Sequence, residues 1–285
     1  LQEDRYGYFG YRVRGALPRP QAQPLPPLSD PPAEPGSHAL KARTLLQVGF
    51  AAEAVSEYRM AWSRQKDLRT AWAMAQAQAI MGDHDGAIRS VRRVYPRAYN
   101  ASGDALPDAA WKLIYPLPFR DELGAAAQEH QVALLLAASV VRQESLWDPA
   151  AVSRSGALGL MQLMPATARA VAHRLGLLPP NQSRYFDPAW NTRAGCGYLA
   201  QMMAQYHGRA YLALAAYNAG PGRVREWLGR PGAPKEPDLF TESIPIRETR
   251  SYIRRISLNY WEYGRLYPEL RSPGAIPELE LTQEQ

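Results

Sequence analysis

The chain has 285 residues, of which 46% are hydrophobic, so it can bury one large core or two ordinary ones. Its single cysteine excludes an intrachain disulfide, and no run approaches the ~20 uncharged apolar residues of a transmembrane helix. The net charge of +6 is spread along helix-spaced faces such as Arg89 to Arg93 and Arg247 to Arg255, without a nucleic-acid recognition motif, and so suits an acidic polymer better than nucleic acid.

The chain opens Leu1-Gln2-Glu3-Asp4 with no basic-then-apolar leader, as expected of a mature start or a cut fragment. Aromatic residues follow in Tyr6-Gly7-Tyr8-Phe9-Gly10-Tyr11, and then a proline-rich run from Pro18 to Pro35. Proline removes a backbone donor and fixes φ, so this run forms neither helix nor central strand and reads as an extended connector. Residues 1–37 are therefore taken as an N-terminal segment and linker.

From His38 the sequence turns alanine-rich and helical, and it repeats. Gly49, Ala54, Val55, Tyr58 and Ala61 recur 33 residues later as Gly82, Ala87, Ile88, Val91 and Val94. Helix, small residue at the turn, then helix is the plan of a tetratricopeptide-like pair, whose period is about 34. Residues 38–117 are expected to form this repeat domain, ending in a turn-rich stretch from Asn100 to Pro118.

Residues 118–285 form the third expected domain, with helices over 121–146, 165–175, 189–206, 210–218, 221–229 and 247–266 separated by Gly and Pro stops. Alternating strand patterns are lacking, so the fold class is all-α. The run from Val132 to Val141 is apolar on every side and marks a core helix.

Glu144 falls in the last turn of that helix. Apolar surroundings and the negative end of the helix dipole both disfavour its charged form, and both raise its pKa towards the range of a general acid. The bland alternative is a salt-bridged glutamate. Glycoside hydrolysis normally uses two carboxylates, ~5–5.5 Å or ~6.5–9.5 Å apart. Asp148 precedes Pro149 in a turn position, and Glu242 and Glu248 are distant along the chain. One acid is evident and a second is not, a deficit that substrate-assisted chemistry accommodates.

After Glu144, Gly156, Gly159 and Pro165 bracket a loop in which Gln162 offers a donor and an acceptor and Met164 an adaptable apolar contact. Tyr217 and Asn218 end a short apolar helix, where a phenol is available to hold the Glu144 carboxyl. Other chemistries find no pattern. His38, His84, His130, His173 and His207 lack metal-ligand spacing, Ser145 lacks a Gly-x-Ser-x-Gly elbow, and Cys196 has no catalytic neighbour.

Taken together, Arg142-Gln143-Glu144-Ser145 with Asp148-Pro149, Ser153 and Gly156-Ala157, Gly159-Leu160-Met161-Gln162-Leu163-Met164-Pro165 with Thr167-Ala168, Ala216-Tyr217-Asn218-Ala219-Gly220-Pro221-Gly222, and Glu242-Ser243-Ile244-Pro245 with Glu248-Thr249-Arg250-Ser251-Tyr252 resemble the catalytic domain of soluble lytic transglycosylases. That family is Slt-type glycoside hydrolase family 23, with a goose-lysozyme-like fold. The resemblance implies cleavage of the β-1,4 bond between N-acetylmuramic acid and N-acetylglucosamine in peptidoglycan, in the periplasm or cell envelope, with no cofactor and no metal. It implies that Glu144 is acid and then base, giving 1,6-anhydro ends. Ser153, Gln162, Met164, Thr167, Tyr217, Asn218 and Glu242 would line the sugar groove, with Tyr217 positioning Glu144 and Tyr252 a further candidate. Family members carry a helical superhelix before this domain, so the repeats would offer a surface to envelope protein partners. The alternatives are a muramidase of the same fold that admits water, and a non-catalytic peptidoglycan-binding scaffold.

Overall fold

A computed structural model describes residues 37–95, 106–271 and 276. The aromatic and proline-rich segment up to Gly36, and residues 96–105 at the end of the repeat region, lie outside these residues. The chain divides into two compact units between Pro116 and Leu117.

The first unit is built from helices α1 (His38–Gln47), α2 (Ala51–Gln65), α3 (Leu68–Ile80), α4 (His84–Val94) and α5 (Asp108–Ile114). The sequence repeat is a structural one. Gly49 and Gly82 take φ of 89° and 83° at the two equivalent turns, where a side chain would be strained. The repeated positions Ala54, Val55 and Tyr58, and Ala87, Ile88 and Val91, are all buried. Val55 and Tyr58 pack with Ala42, Ala73, Met74 and Ala77 in one apolar cluster. Polar atoms fix the second turn. The Asp83 carboxylate accepts from the Gly86 N–H at 2.8 Å and from Gln78 Nε2 at 3.1 Å, and Ser90 donates to Gln78 Oε1 at 2.7 Å.

The second unit comprises α6 (Arg120–Glu129), α7 (Leu134–Ser145), α8 (Pro165–Leu175), α9 (Gln182–Tyr185), α10 (Pro188–Gln205), α11 (Ala210–Ala219), α12 (Pro221–Leu228), α13 (Pro237–Ser243) and α14 (Arg247–Leu266), followed by a 3-10 turn. The fold is all-α, and among the described residues only isolated bridges, Val152 to Leu158 and Leu158 to Leu163, have β character. Proline opens α8, α10, α12 and α13, where its missing N–H costs nothing. Within α11 every residue from Ala210 to Ala216 is buried, and Leu135 to Val141 are buried in α7, so these two helices are central.

One predicted element is corrected. Residues 121–146 are two helices, not one, because the chain breaks at His130 and Gln131, where Gln131 has φ of 53°. A non-glycine residue took the left-handed turn, so no Gly or Pro marked the break in the sequence. The short helices α9 and α13 also went unread, as did α5, which occupies Asp108–Ile114 within the stretch from Asn100 to Pro118 that was expected to be turns.

Candidate active site

Glu144 lies in the last turn of α7, partly exposed. The helix ends abruptly beyond it. Leu146 and Trp147 follow with φ of 50° and 69°. Each such non-glycine residue costs about 1–2 kcal/mol, so tertiary contacts must hold the turn. Asp148 completes it by accepting from the Ala150 N–H at 2.9 Å, and stays exposed.

The Glu144 carboxyl meets α14. The Tyr252 hydroxyl donates to Glu144 Oε1 at 2.6 Å, across 108 residues of chain. Burial pushes the Glu144 pKa up to about 7; the Tyr252 hydrogen bond opposes this, and the negative charge of Glu248 adds to it. Burial, and then the charge of Glu144, hold the Tyr252 and Tyr217 phenols well above their ordinary range. Tyr252 therefore stays protonated, and a donor, around neutral pH.

The phenol that reaches Glu144 is not the one the sequence suggested. The Tyr217 hydroxyl donates instead to the Met161 carbonyl at 2.9 Å, and its ring packs on Tyr198 with centroids 5.1 Å apart. Tyr217 still lies close enough for the charge of Glu144 to raise its pKa. Its role is to tie α11 to the Gly159–Met164 loop.

That loop is held mainly from within and from α10. The Gln162 side-chain NH2 donates to the Ala151 and Gly159 carbonyls at 3.1 and 2.8 Å, so the group expected to meet a sugar is engaged in closing the loop. Asn191, fully buried on α10, accepts from the Met161 N–H at 2.8 Å and donates to the carbonyls of Leu158 and Tyr185 at 3.1 and 2.9 Å. Gly159 has φ of 78°, and a Cβ there would come within 2.2 Å of the Tyr185 carbonyl oxygen and 2.3 Å of Asn191 Nδ2. Sequence reading missed Asn191. Its only signal was an amide in the first turn of α10, ahead of the small residues Ala194 and Gly195.

The remaining expected residues divide. Ser153 Oγ accepts from the Ala157 N–H at 2.9 Å and shapes the turn before the loop. Met164 is 42% exposed at the start of α8, and Thr167 is partly exposed one turn on. Asn218 Oδ1 accepts from Thr249 Oγ1 at 2.8 Å, which links α11 to α14. Glu242 is not drawn to Glu144; it is exposed and accepts from Arg254 Nε at 3.0 Å. Glu248, in the first turn of α14 and one turn before Tyr252, is the carboxylate whose charge Glu144 feels. Among the described residues no cluster of three His, Cys, Asp or Glu is arranged to hold a metal ion.

A carboxyl with a raised pKa at a helix end, braced by a buried phenol, is the arrangement of a proton donor. Residues 122–240, within the second unit, match the model of the Transglycosylase SLT domain family. The soluble lytic murein transglycosylase of Escherichia coli (strain K12) is 37% identical over 156 residues, 54% of this chain and 24% of that protein. The Salmonella typhimurium protein of that name is 37% identical over 153 residues, 53% of this chain and 23% of its own. This chain thus spans about a quarter of the curated relatives' length. Among solved structures, lytic transglycosylase Slt from Pseudomonas aeruginosa, an inactive variant with one Glu replaced by Gln, aligns with a TM-score of 0.70 at 27% identity, covering 94% of this chain and 42% of that one. The 70 kDa soluble lytic transglycosylase of E. coli aligns at 0.67 and 26% identity, covering 89% and 40%. No helix among the described residues is long and apolar enough to cross a membrane.

Proposed function

We propose that this protein is a peptidoglycan lytic transglycosylase of the bacterial envelope, with residues 118–285 as its catalytic domain and Glu144 as the single acid and base. The observation that carries this reading is the Glu144 carboxyl itself: partly exposed, pushed up to about 7, and hydrogen-bonded to a phenol that stays protonated. A carboxyl poised near neutral pH serves equally as donor and acceptor, which a two-step proton relay needs. Inactivation of the Pseudomonas relative by a Glu-to-Gln exchange agrees with dependence on one glutamate.

In the first step Glu144 gives its proton to the glycosidic oxygen between N-acetylmuramic acid and N-acetylglucosamine. The C1–O bond breaks, and the acetamido oxygen of the muramyl residue closes on C1. Glu144, now a carboxylate, takes the proton of the C6 hydroxyl. O6 then attacks C1 and displaces the acetamido oxygen. The product is a 1,6-anhydro ring, the acid is regenerated, and no water or cofactor is consumed. Met164, Thr167, Tyr217 and Asn218 would border the bound sugars, with Ser153 and Gln162 shaping the loop beneath them.

Glu248 favours a second reading. A carboxylate close enough to act on Glu144 electrostatically is a candidate base for water, which would make the enzyme a muramidase. Mass spectrometry of purified sacculi after digestion separates the two: anhydro ends, lighter by one water, are expected, and reducing ends would establish hydrolysis. Glu144→Gln that clears sacculi at the wild-type rate would end both readings.

A further inference from the structure

Helix α14 touches Glu144 once, but it holds the chain on both sides of Glu144 as well. Tyr252, Asn259 and Tyr263 stand seven and four residues apart and so share one stripe of the helix. Tyr252 donates to Glu144, Asn259 Oδ1 accepts from Arg142 Nη1 at 3.0 Å, and the Tyr263 hydroxyl accepts from Trp147 Nε1 at 3.0 Å. The last of these bonds is fully buried, with Trp147 at 1% and Tyr263 at 0% exposure.

Its location is unusual. Trp147 is the second of two bulky residues in left-handed backbone conformation, a pairing with no local preference behind it. Locally, the turn is supported by the Leu146 N–H to the Arg142 carbonyl at 3.2 Å and the Trp147 N–H to Ser145 Oγ at 3.2 Å. Both partners belong to the end of α7 itself, so neither anchors the turn to the rest of the protein. The indole bond to Tyr263 does. Strained backbone that persists beside a reacting group is held there by its surroundings.

We propose that Trp147 and Tyr263 are positioning residues for Glu144: their hydrogen bond pins the left-handed exit of α7 to α14, and so fixes the register in which the Glu144 carboxyl meets the Tyr252 hydroxyl. This inference rests on the reading of Glu144 as the reacting acid. Without the pin, the end of α7 relaxes, the carboxyl gains water, and the geometry of proton transfer loosens while the sugar-facing residues on α8 and α11 stay in place. The signature is therefore a loss in turnover with little change in apparent KM, together with a downward move of the alkaline limb of the pH–rate profile, because the water gained relieves the larger influence on Glu144, burial, and a loosened Tyr252 bond offsets only part of that.

The test uses Tyr263→Phe, which deletes only the acceptor oxygen, and Trp147→Phe, which deletes the donor and keeps an aromatic ring. Both are assayed on solubilised glycan strands, below their own denaturation midpoints, beside Glu144→Gln. A fall in kcat of about ten-fold, equal to about 1.4 kcal/mol, is expected in each. The double variant should be no slower than the slower single, because both changes remove one bond. A purely structural role lowers the denaturation midpoint but leaves kcat and the pH limb of the folded protein at wild-type values, and that result overturns the proposal. If Glu144→Gln is inactive while both aromatic variants behave as wild type, only the positioning role falls; if Glu144→Gln is fully active, the reading of Glu144 falls with it.

Discussion

Replacing Tyr252 with Phe tests the electrostatics of Glu144 directly. The change removes one hydroxyl whose oxygen lies 2.6 Å from Glu144 Oε1 and leaves the ring in its buried position. A hydrogen bond to a charged group contributes about 1.5–3 kcal/mol, and about 1.36 kcal/mol corresponds to one pH unit, so the bond could account for one to two units if only the carboxylate received it. The protonated carboxyl also accepts from Tyr252 through its carbonyl oxygen, which reduces the expected change to about one unit. The sign is fixed by the state the bond favours. It stabilises the carboxylate, so its loss raises the pKa of Glu144 above its value of about 7. The reaction starts from the protonated acid, so the rate falls as pH rises through that pKa. The alkaline limb of kcat against pH, followed by release of soluble muropeptides from sacculi, should therefore move upward in Tyr252→Phe, with a lower plateau from the lost brace. A limb that moves down, or that stays where it was, would refute this account of how Tyr252 acts.

Three further outcomes follow from the site. The folded state raises the Glu144 pKa to about 7, so ionisation costs stability increasingly as pH rises from the ordinary carboxyl range to that value. Glu144→Gln should thus be more stable than wild type by about 1–3 kcal/mol at pH above 7 and not below the ordinary carboxyl pKa, as read by chemical denaturation at several pH values. Glu248→Gln removes the charge that helps raise Glu144 and should move the alkaline limb down, whereas Glu242→Gln, engaged with Arg254, should leave the limb unchanged. Asn191→Ala leaves the Met161 N–H and the Tyr185 carbonyl without their Asn191 partner in the core, while the Leu158 carbonyl keeps the Leu163 N–H; a loss of about 2–4 kcal/mol in denaturant titration is expected, and a loss under about 1 kcal/mol would mean the loop is held elsewhere.

The helices that border the site were legible because their punctuation is local. The spacing of apolar residues and the Gly and Pro stops predicted 165–175, 189–206, 210–218, 221–229 and 247–266, close to the observed Pro165–Leu175, Pro188–Gln205, Ala210–Ala219, Pro221–Leu228 and Arg247–Leu266. The break at Gln131 escaped because glutamine occupies a left-handed conformation that only glycine would have advertised. Asn191 escaped because one amide on a buried helix has no pattern, and its three partners lie on other segments.

Chain chemistry alone determined that Glu144 would leave an apolar helix at its C-terminal end, since both burial and helix polarity are properties of a contiguous run. It also determined the Gly-Leu-Met-Gln loop and the repeat of Gly49 and Gly82. Which phenol faces the carboxyl was decided only by tertiary structure: Tyr217 turns to Met161, and Tyr252 arrives from 108 residues away. The same holds for Glu248 over Glu242, and for the bond from Trp147 to Tyr263. Hydrogen bonds between distant side chains depend on how α14 lies along α7, and helical periodicity fixes which residues share a face but not which helix that face will meet.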